Sequence, residues 1–169
     1  MIEILQKDRN RYKNGKMPKF QKYYRLAQSS DIFFVKALYR LMFKYYKSKN
    51  LIDLYYGTCI GEGLYIGHPY CITINEKAIL GKNINIHKGV TIGQENRGTR
   101  KGSPTIGDNV WIGINSTIVG NIKIGDDVLI APNAYVNCDV PSHSIVFGNP
   151  CIITHKDFAT EGYINNTVY

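Results

Sequence analysis

The chain has 169 residues, enough for one domain with its own core and a small attachment. It holds no run of eighteen apolar residues, which argues against a membrane-spanning helix, and residues 1–10 lack the apolar stretch of a secretion signal, so a cytoplasmic location is expected. The net charge of +8 is uneven: residues 1–50 hold thirteen Lys and Arg against Glu3, Asp8 and Asp31, whereas the remainder holds eight against ten.

Residues 1–28 read as one or two short polar helices, broken near Asn14-Gly15 and Pro18. Ser30 or Asp31 is placed to cap a further helix running to about Lys47. In it Lys36, Arg40 and Lys44 fall four apart on one basic face, and apolar residues from Ile32 to Tyr46 cover most of the rest. So wide an apolar surface calls for cover by the end of the domain, a neighbouring subunit or a membrane surface. The basic segment, residues 1–50, carries no recognised nucleic-acid motif, and no nucleic-acid partner is expected; it reads first as a solvated helix face, with peripheral contact with an anionic membrane or an anionic polymer as the alternative. Cys59, Cys71, Cys138 and Cys151 form no CxxC pair and read as packing residues.

From about Leu51 an aliphatic residue returns every six positions. Ile60, Ile66 and Ile72 open the series, followed by Ile74, Leu80, Ile86 and Ile92, then Ile106, Ile112, Ile118, Ile124, Ile130 and Val136. Four positions after each anchor lies a small or branched residue such as Ala78, Ile84, Val90 or Val110. A period of six fits neither a helix nor an alternating strand. It fits a chain that turns a corner every six residues and stacks its coils. The expected fold is therefore mainly β: a left-handed parallel β-helix of hexapeptide repeats with a short α-helical N-terminal segment. The glycines directly after anchors (Gly81, Gly107, Gly125) are expected to supply unusual corner dihedrals, with Asn75 and Asn137 as substitutes.

Two breaks interrupt the period. Ile66 to Ile74 spans eight residues, beside His68, and Ile92 to Ile106 spans fourteen, leaving a polar loop over 93–105. The two irregularities are expected to meet on the surface, since loops leaving a rigid scaffold carry function. The organisation is thus an N-terminal segment 1–50, a β-helix 51–156 and a tail 157–169.

At this point the chain resembles the left-handed β-helix acyltransferases, and within them the serine acetyltransferase branch. Gly61-Glu62-Gly63-Leu64-Tyr65-Ile66-Gly67-His68, with Ile72-Thr73-Ile74-Asn75, is similar to that family's GxGxxxDH…IVIG segment. Val90-Thr91-Ile92-Gly93, Asn109 to Gly113, Ile118 to Ile122 and Phe147-Gly148-Asn149-Pro150 match its later landmarks. The resemblance implies acetyl-CoA as acyl donor and a homotrimer. It also implies His68 as general base, oriented by Asp53 fifteen residues earlier. A neutral imidazole within reach of an alcohol suits that role without the analogy, contributing on the order of 10²–10⁴ in rate. For coenzyme A the resemblance implies Ile114, Pro132 and the Asn137–Cys138 pair along the later coils, with His155 and Lys156 toward its phosphates.

Two residues depart from the branch. Ser103, before Pro104, stands where its enzymes carry a second histidine, and Gly67 stands where they carry an aspartate. The pattern is closer to the exopolysaccharide acetyltransferases of colanic-acid type, implying a sugar hydroxyl of a surface polysaccharide or its precursor as acceptor, with His87 and Ser103 as acceptor contacts. The alternatives are serine O-acetylation for cysteine synthesis and a non-catalytic β-helix scaffold. The spacings of His68, His87 and His143 do not suggest histidines converging on zinc, so no metal is expected.

Overall fold

A computed structural model describes residues 2–169. Helices α1 (Ile2–Asn10), α2 (Lys19–Ser29) and α3 (Phe33–Lys49) precede a β-helix of fifteen short strands, numbered in chain order. The strands stack into three parallel faces. The first face is β1 (Asp53–Leu54), β4 (Thr73–Ile74), β7 (Thr91–Gly93), β10 (Thr117–Val119) and β13 (Tyr135–Val136). The second is β2 (Cys59–Ile60), β5 (Ile79–Leu80), β8 (Thr105–Ile106) and β11 (Lys123–Ile124). The third is β3 (Tyr65–Gly67), β6 (Asn85–His87), β9 (Val110–Ile112), β12 (Val128–Ile130) and β14 (Ser144–Phe147), to which β15 (Ile152–His155) adds antiparallel. This is the left-handed hexapeptide β-helix the period predicts.

The anchors form three buried columns inside the prism. Leu54, Ile74, Ile92, Ile118 and Val136 line the first face. Ile60, Leu80, Ile106 and Ile124 line the second. Ile66, Ile86, Ile112, Ile130 and Val146 line the third. Leu54 opens the first column, so Ile72 is not an anchor. It fills the second inward slot of its coil, the place Val90 takes one coil on, and is fully buried there.

The glycines after anchors are needed for a different reason from the one expected. Gly81, Gly107 and Gly125 do not have positive φ, and neither do Asn75 and Asn137. The coils pass too close for a side chain there. A Cβ on Gly81 would stand 2.6 Å from the Gly107 carbonyl oxygen, and one on Gly113 would stand 2.6 Å from the Pro132 nitrogen. The left-handed corner residues are instead Asn83, Asn109, Asn115 and Asn133, with φ of 54° to 61°.

The N-terminal helices cap the first coil through buried polar groups. Asp8 and Arg25, both essentially inaccessible, pair at 2.8 Å. Arg25 also donates to the Ile60 and Gly61 carbonyls, while Asp8 accepts from Gln21 and from the Leu64 amide. Arg11 donates to the Gly63 carbonyl and to Asn85 Oδ1, and the tail is tied down by Arg11 to the Asn165 carbonyl and by Asn85 to that of Tyr163. Helix α3 packs on α2 through Phe43 and through Tyr46, whose ring stacks on Tyr23. Its start is not capped by Ser30 or Asp31. Ile32 is the N-cap, without a side-chain hydrogen bond, because Ser30 is extended and closes α2 instead. Nor does the end of the β-helix cover α3, of which Phe43 alone is fully buried. The cysteines depart from expectation too: Cys59 and Cys71 are exposed, while Cys138 and Cys151 are half-buried with their sulfurs 3.6 Å apart.

Candidate active site

Numbering the coils by face decides where each expected site residue stands. The third-face strand β3 ends at Gly67, so His68 lies on the edge between the third and first faces of the first coil. Ile92 is a first-face anchor, so the loop 93–105 leaves at the next edge, between the first and second faces. The two irregularities therefore occupy different edges and do not meet within one chain. The phase slip makes the first turn twenty residues long, from Leu54 to Ile74, against eighteen from Ile74 to Ile92.

His68 is exposed at the tip of its corner, with φ of 56°. The same left-handed conformation recurs along this edge at Cys71, Asn115 and Asn133, so what sets His68 apart is the exposed imidazole it places there. Above it runs a continuous edge: the Gly89 amide donates to the Tyr70 carbonyl, Asn115 to that of Lys88, and Asn133 to that of Ile114. Ile114 and Pro132 thus stand on the same edge as His68, in successive coils. Asp53 lies outward on the first face with its side chain 81% exposed, 4.0 Å from Lys47 Nζ. No hydrogen bond or ion pair joins it to His68 among the described residues.

His87 follows Ile86 on β6 and pairs in register with Gly67. Its Nδ1 lies 3.0 Å from the Ile112 carbonyl oxygen, and its ring packs 4.6 Å from that of Trp111. A carbonyl only accepts, so Nδ1 carries the proton and Nε2 is left as an acceptor. Burial lowers the His87 pKa; the Ile112 hydrogen bond opposes this and the neighbouring His68 adds to it. The ring is therefore held neutral at pH 7. A Cβ on Gly67 would stand 3.0 Å from His87 Nε2 and 2.9 Å from its Cδ2. The imidazole fills the space a side chain at 67 would need. His87 also borders a groove of about 420 Å³ whose walls include Tyr65, Trp111, Lys13 and Tyr163. Tyr12, also lining it, accepts from the Ile66 amide at 2.8 Å and donates to Gln21, so the turn after α1, held by α2, braces the strand leading to His68. None of these except His87 was picked out from the sequence. The signal for Gly67 and His87 was the twenty-residue coil that puts them side by side.

The other expected residues disperse. Ser103 donates to Asn75 Oδ1 at 3.0 Å, and Asn75 lines a first-face groove with Asp53. The loop behind Ser103 is a small hairpin, Glu95 bridging Gly102 by two 2.9 Å backbone bonds. Asn137 and Cys138 follow β13 at the top of the first face. His155 ends β15 and Lys156 follows it, donating its amide to the His143 carbonyl at the far edge of the third face. One chain thus presents two sets: His68, His87, Ile114 and Pro132 around one edge, and Asp53 with Ser103 on the first face. His155 and Lys156 join neither.

Residues 103–138 match the family model described as bacterial transferase hexapeptide (six repeats). That match covers six of the strands, β8 to β13, within the stacked coils described above. It is 40% identical over 106 residues to the serine acetyltransferase of Staphylococcus aureus strain Mu50, covering 63% of this chain and 50% of that protein. It is 41% identical over 99 residues to serine acetyltransferase 4 of Arabidopsis thaliana, covering 59% of this chain and 28% of the relative. The crystal structure of serine acetyltransferase from Brucella abortus strain S19 superposes with a TM-score of 0.77 at 25% identity, over 94% of this chain and 70% of that one. The chain thus spans half or less of the length of these two curated relatives. The relatives correct the expected acceptor: they are serine acetyltransferases, and the sugar hydroxyl inferred from Gly67 and Ser103 has no counterpart among them. The structure gives the physical reason for Gly67, since its missing side chain is offset by the His87 imidazole.

Proposed function

We propose that this protein is an acetyl-CoA-dependent serine O-acetyltransferase working as a homotrimer. The observation that carries the reading is His68, exposed and left-handed at the foot of an edge that continues through Ile114 and Pro132, in a chain 40% identical over 106 residues to a serine acetyltransferase. Bound along that edge, acetyl-CoA supplies an activated acetyl thioester. The side chains of Ile114 and Pro132 hold it there. Asn137, Cys138, His155 and Lys156, spread over other edges, remain as contacts only where a neighbouring copy brings them in.

His68 accepts the proton of the serine hydroxyl as its oxygen bonds to the acetyl carbon, then returns that proton to the departing sulfur. The products are O-acetylserine and free coenzyme A, and the histidine ends as it began. His87 Nε2, an acceptor in a neutral ring, takes a hydrogen bond from the serine ammonium in the place of the family's aspartate. Asp53 and Ser103 form no hydrogen bond with their own His68 among the described residues, so a second copy supplies them. In that arrangement Asp53 orients the partner's base and stabilises its imidazolium. A cyclic assembly, in which the edge of one copy meets the first face of the next, satisfies this geometry.

The test is coenzyme A release from acetyl-CoA with and without L-serine, on wild type and His68→Ala. Serine-dependent release that falls by about 10²–10⁴ in the variant is expected. Release that His68→Ala leaves intact, or none with L-serine despite acetyl-CoA binding, refutes the reading.

A further inference from the structure

We infer that α3 docks the protein onto an anionic phospholipid surface. Phe34, Leu38, Leu41 and Tyr45 recur at helical spacing on one face, and all are exposed, Phe34 by 82% and Leu41 by 63%. Ile32 and Phe33 extend the exposed apolar surface at the start of the helix. The inner side of α3 is already satisfied by Phe43 and by Tyr46 against Tyr23, so no rotation of the helix buries the stripe without uncovering that contact. No helix among the described residues is long and apolar enough to cross a membrane, so α3 lies in the surface rather than spanning it.

Charge decides the occupant. On the helical wheel Lys44 borders one side of the stripe and Lys49 the other, Arg40 lies further round over the Tyr56 ring, and no acidic residue occurs between Asp31 and Asp53. A second copy laid stripe to stripe would set these cations against their own equivalents, with no carboxylate of α3 to offset them. Anionic headgroups supply the missing charge, while the exposed aromatic and aliphatic side chains enter the acyl boundary. The leading segment carries +10 against −2 for the rest, and five of its cations, Lys36, Arg40, Lys44, Lys47 and Lys49, lie on α3 itself.

The experiment is co-sedimentation of the full chain with vesicles of phosphatidylcholine alone and of phosphatidylcholine with phosphatidylglycerol, at about 0.1 M and about 1 M salt. Binding to the anionic vesicles that weakens at high salt is expected. Lys44→Glu lowers the affinity roughly fivefold or more. Phe34→Ser combined with Leu41→Ser abolishes binding without altering helix content, because both side chains are solvent-exposed. The inference is overturned if wild type stays in the supernatant with both vesicles, or if the double serine variant sediments like wild type. It is equally overturned if vesicles are ignored and the double variant lowers the mass seen by light scattering, which assigns the stripe to a second copy.

Discussion

Arg25→Leu tests how the N-terminal helices are held to the β-helix, and through them the strand that carries His68. The Arg25 side chain is 2% exposed, and its guanidinium makes four short bonds. Nε and NH2 reach the two Asp8 oxygens at 2.8 and 3.2 Å, NH1 reaches the Ile60 carbonyl at 2.7 Å, and NH2 reaches that of Gly61 at 2.6 Å. Leucine removes all of them. Asp8, whose side chain is fully buried, keeps only Gln21 Nε2 and the Leu64 amide, both at 3.0 Å. Breaking one side of a buried pair costs about 3–5 kcal/mol, because the other charge stays buried without its partner. That lowers the folded-to-unfolded ratio of the cap by roughly two to four orders of magnitude.

The loss should be sub-global. Native-state hydrogen exchange is expected to show α1 and α2 opening far more often, while the β12 and β9 amides keep their protection. Urea denaturation at fixed protein concentration reads the total. Pairing Arg25→Leu with Asp8→Leu should restore much of the loss, since an apolar pair of similar volume is often as stable as a buried ion pair. A cost below about 1 kcal/mol for Arg25→Leu alone, or a double variant no better than the single, refutes this account. Activity gives a second readout: Tyr12 and Gln21 belong to the same cap and hold the Ile66 amide, so the destabilised cap should lower turnover as well.

Gly67→Ala places a methyl 2.9–3.0 Å from the His87 ring, whose Nδ1 is already committed to Ile112. The expected result is a raised KM for serine with the KM for acetyl-CoA unchanged, read by initial rates. His87 has a folded pKa below its ordinary value, so the unfolded chain binds more protons, and folding stability should fall as pH drops below about 6.5. His87→Gln should flatten that part of the urea midpoint against pH. Asp127 titrates lower down: burial raises its pKa, but bonds from Thr160, His143 and the Ala159 amide together outweigh that and hold it below the usual value. Its contribution is present above about pH 4 and lost as pH falls further, so the 157–169 tail should become protease-sensitive there first, and at neutral pH in Asp127→Ala. Cys138 and Cys151, 3.6 Å apart, should be linked by mild diamide treatment, which takes up their two hydrogen atoms, with the corresponding mass loss; failure to link would mean the top coil is too stiff to bring the sulfurs to about 2 Å.

How much of this was legible in the chain depends on whether the cause is local. Each anchor reports its own burial, so the six-residue period, the prism and both interruptions could be read directly. Ile72 misled because a coil has two inward slots and periodicity does not distinguish them; the stacking of Ile72 beneath Val90 does. The glycines misled similarly, since what excludes a Cβ at Gly81 is the backbone of the next coil at Gly107, not the dihedrals of Gly81 itself. The separation of His68 from the loop was in principle countable: anchors taken in threes put Ile66 on the third face and Ile92 on the first. The Asp8–Arg25 pair was not countable, because it joins two helices whose packing no periodicity encodes.

Gly67 shows why a solenoid has to be compared by coil rather than by position. Taken alone, it is a lost carboxylate beside the base, and that reading led to a different acceptor. Taken in register, it lies beneath His87, twenty residues on, whose ring reaches into the vacated space and is fixed there by the Ile112 carbonyl and Trp111. Parallel stacking makes residues one coil apart nearest neighbours, so a group deleted from one coil is most readily replaced from the coil above. The replacement keeps an acceptor atom beside His68 but exchanges an anion for a neutral nitrogen. Binding of an ammonium-bearing acceptor should therefore weaken as pH falls through the His87 pKa, which lies below its ordinary value. An aspartate at 67 would have stayed charged over that range.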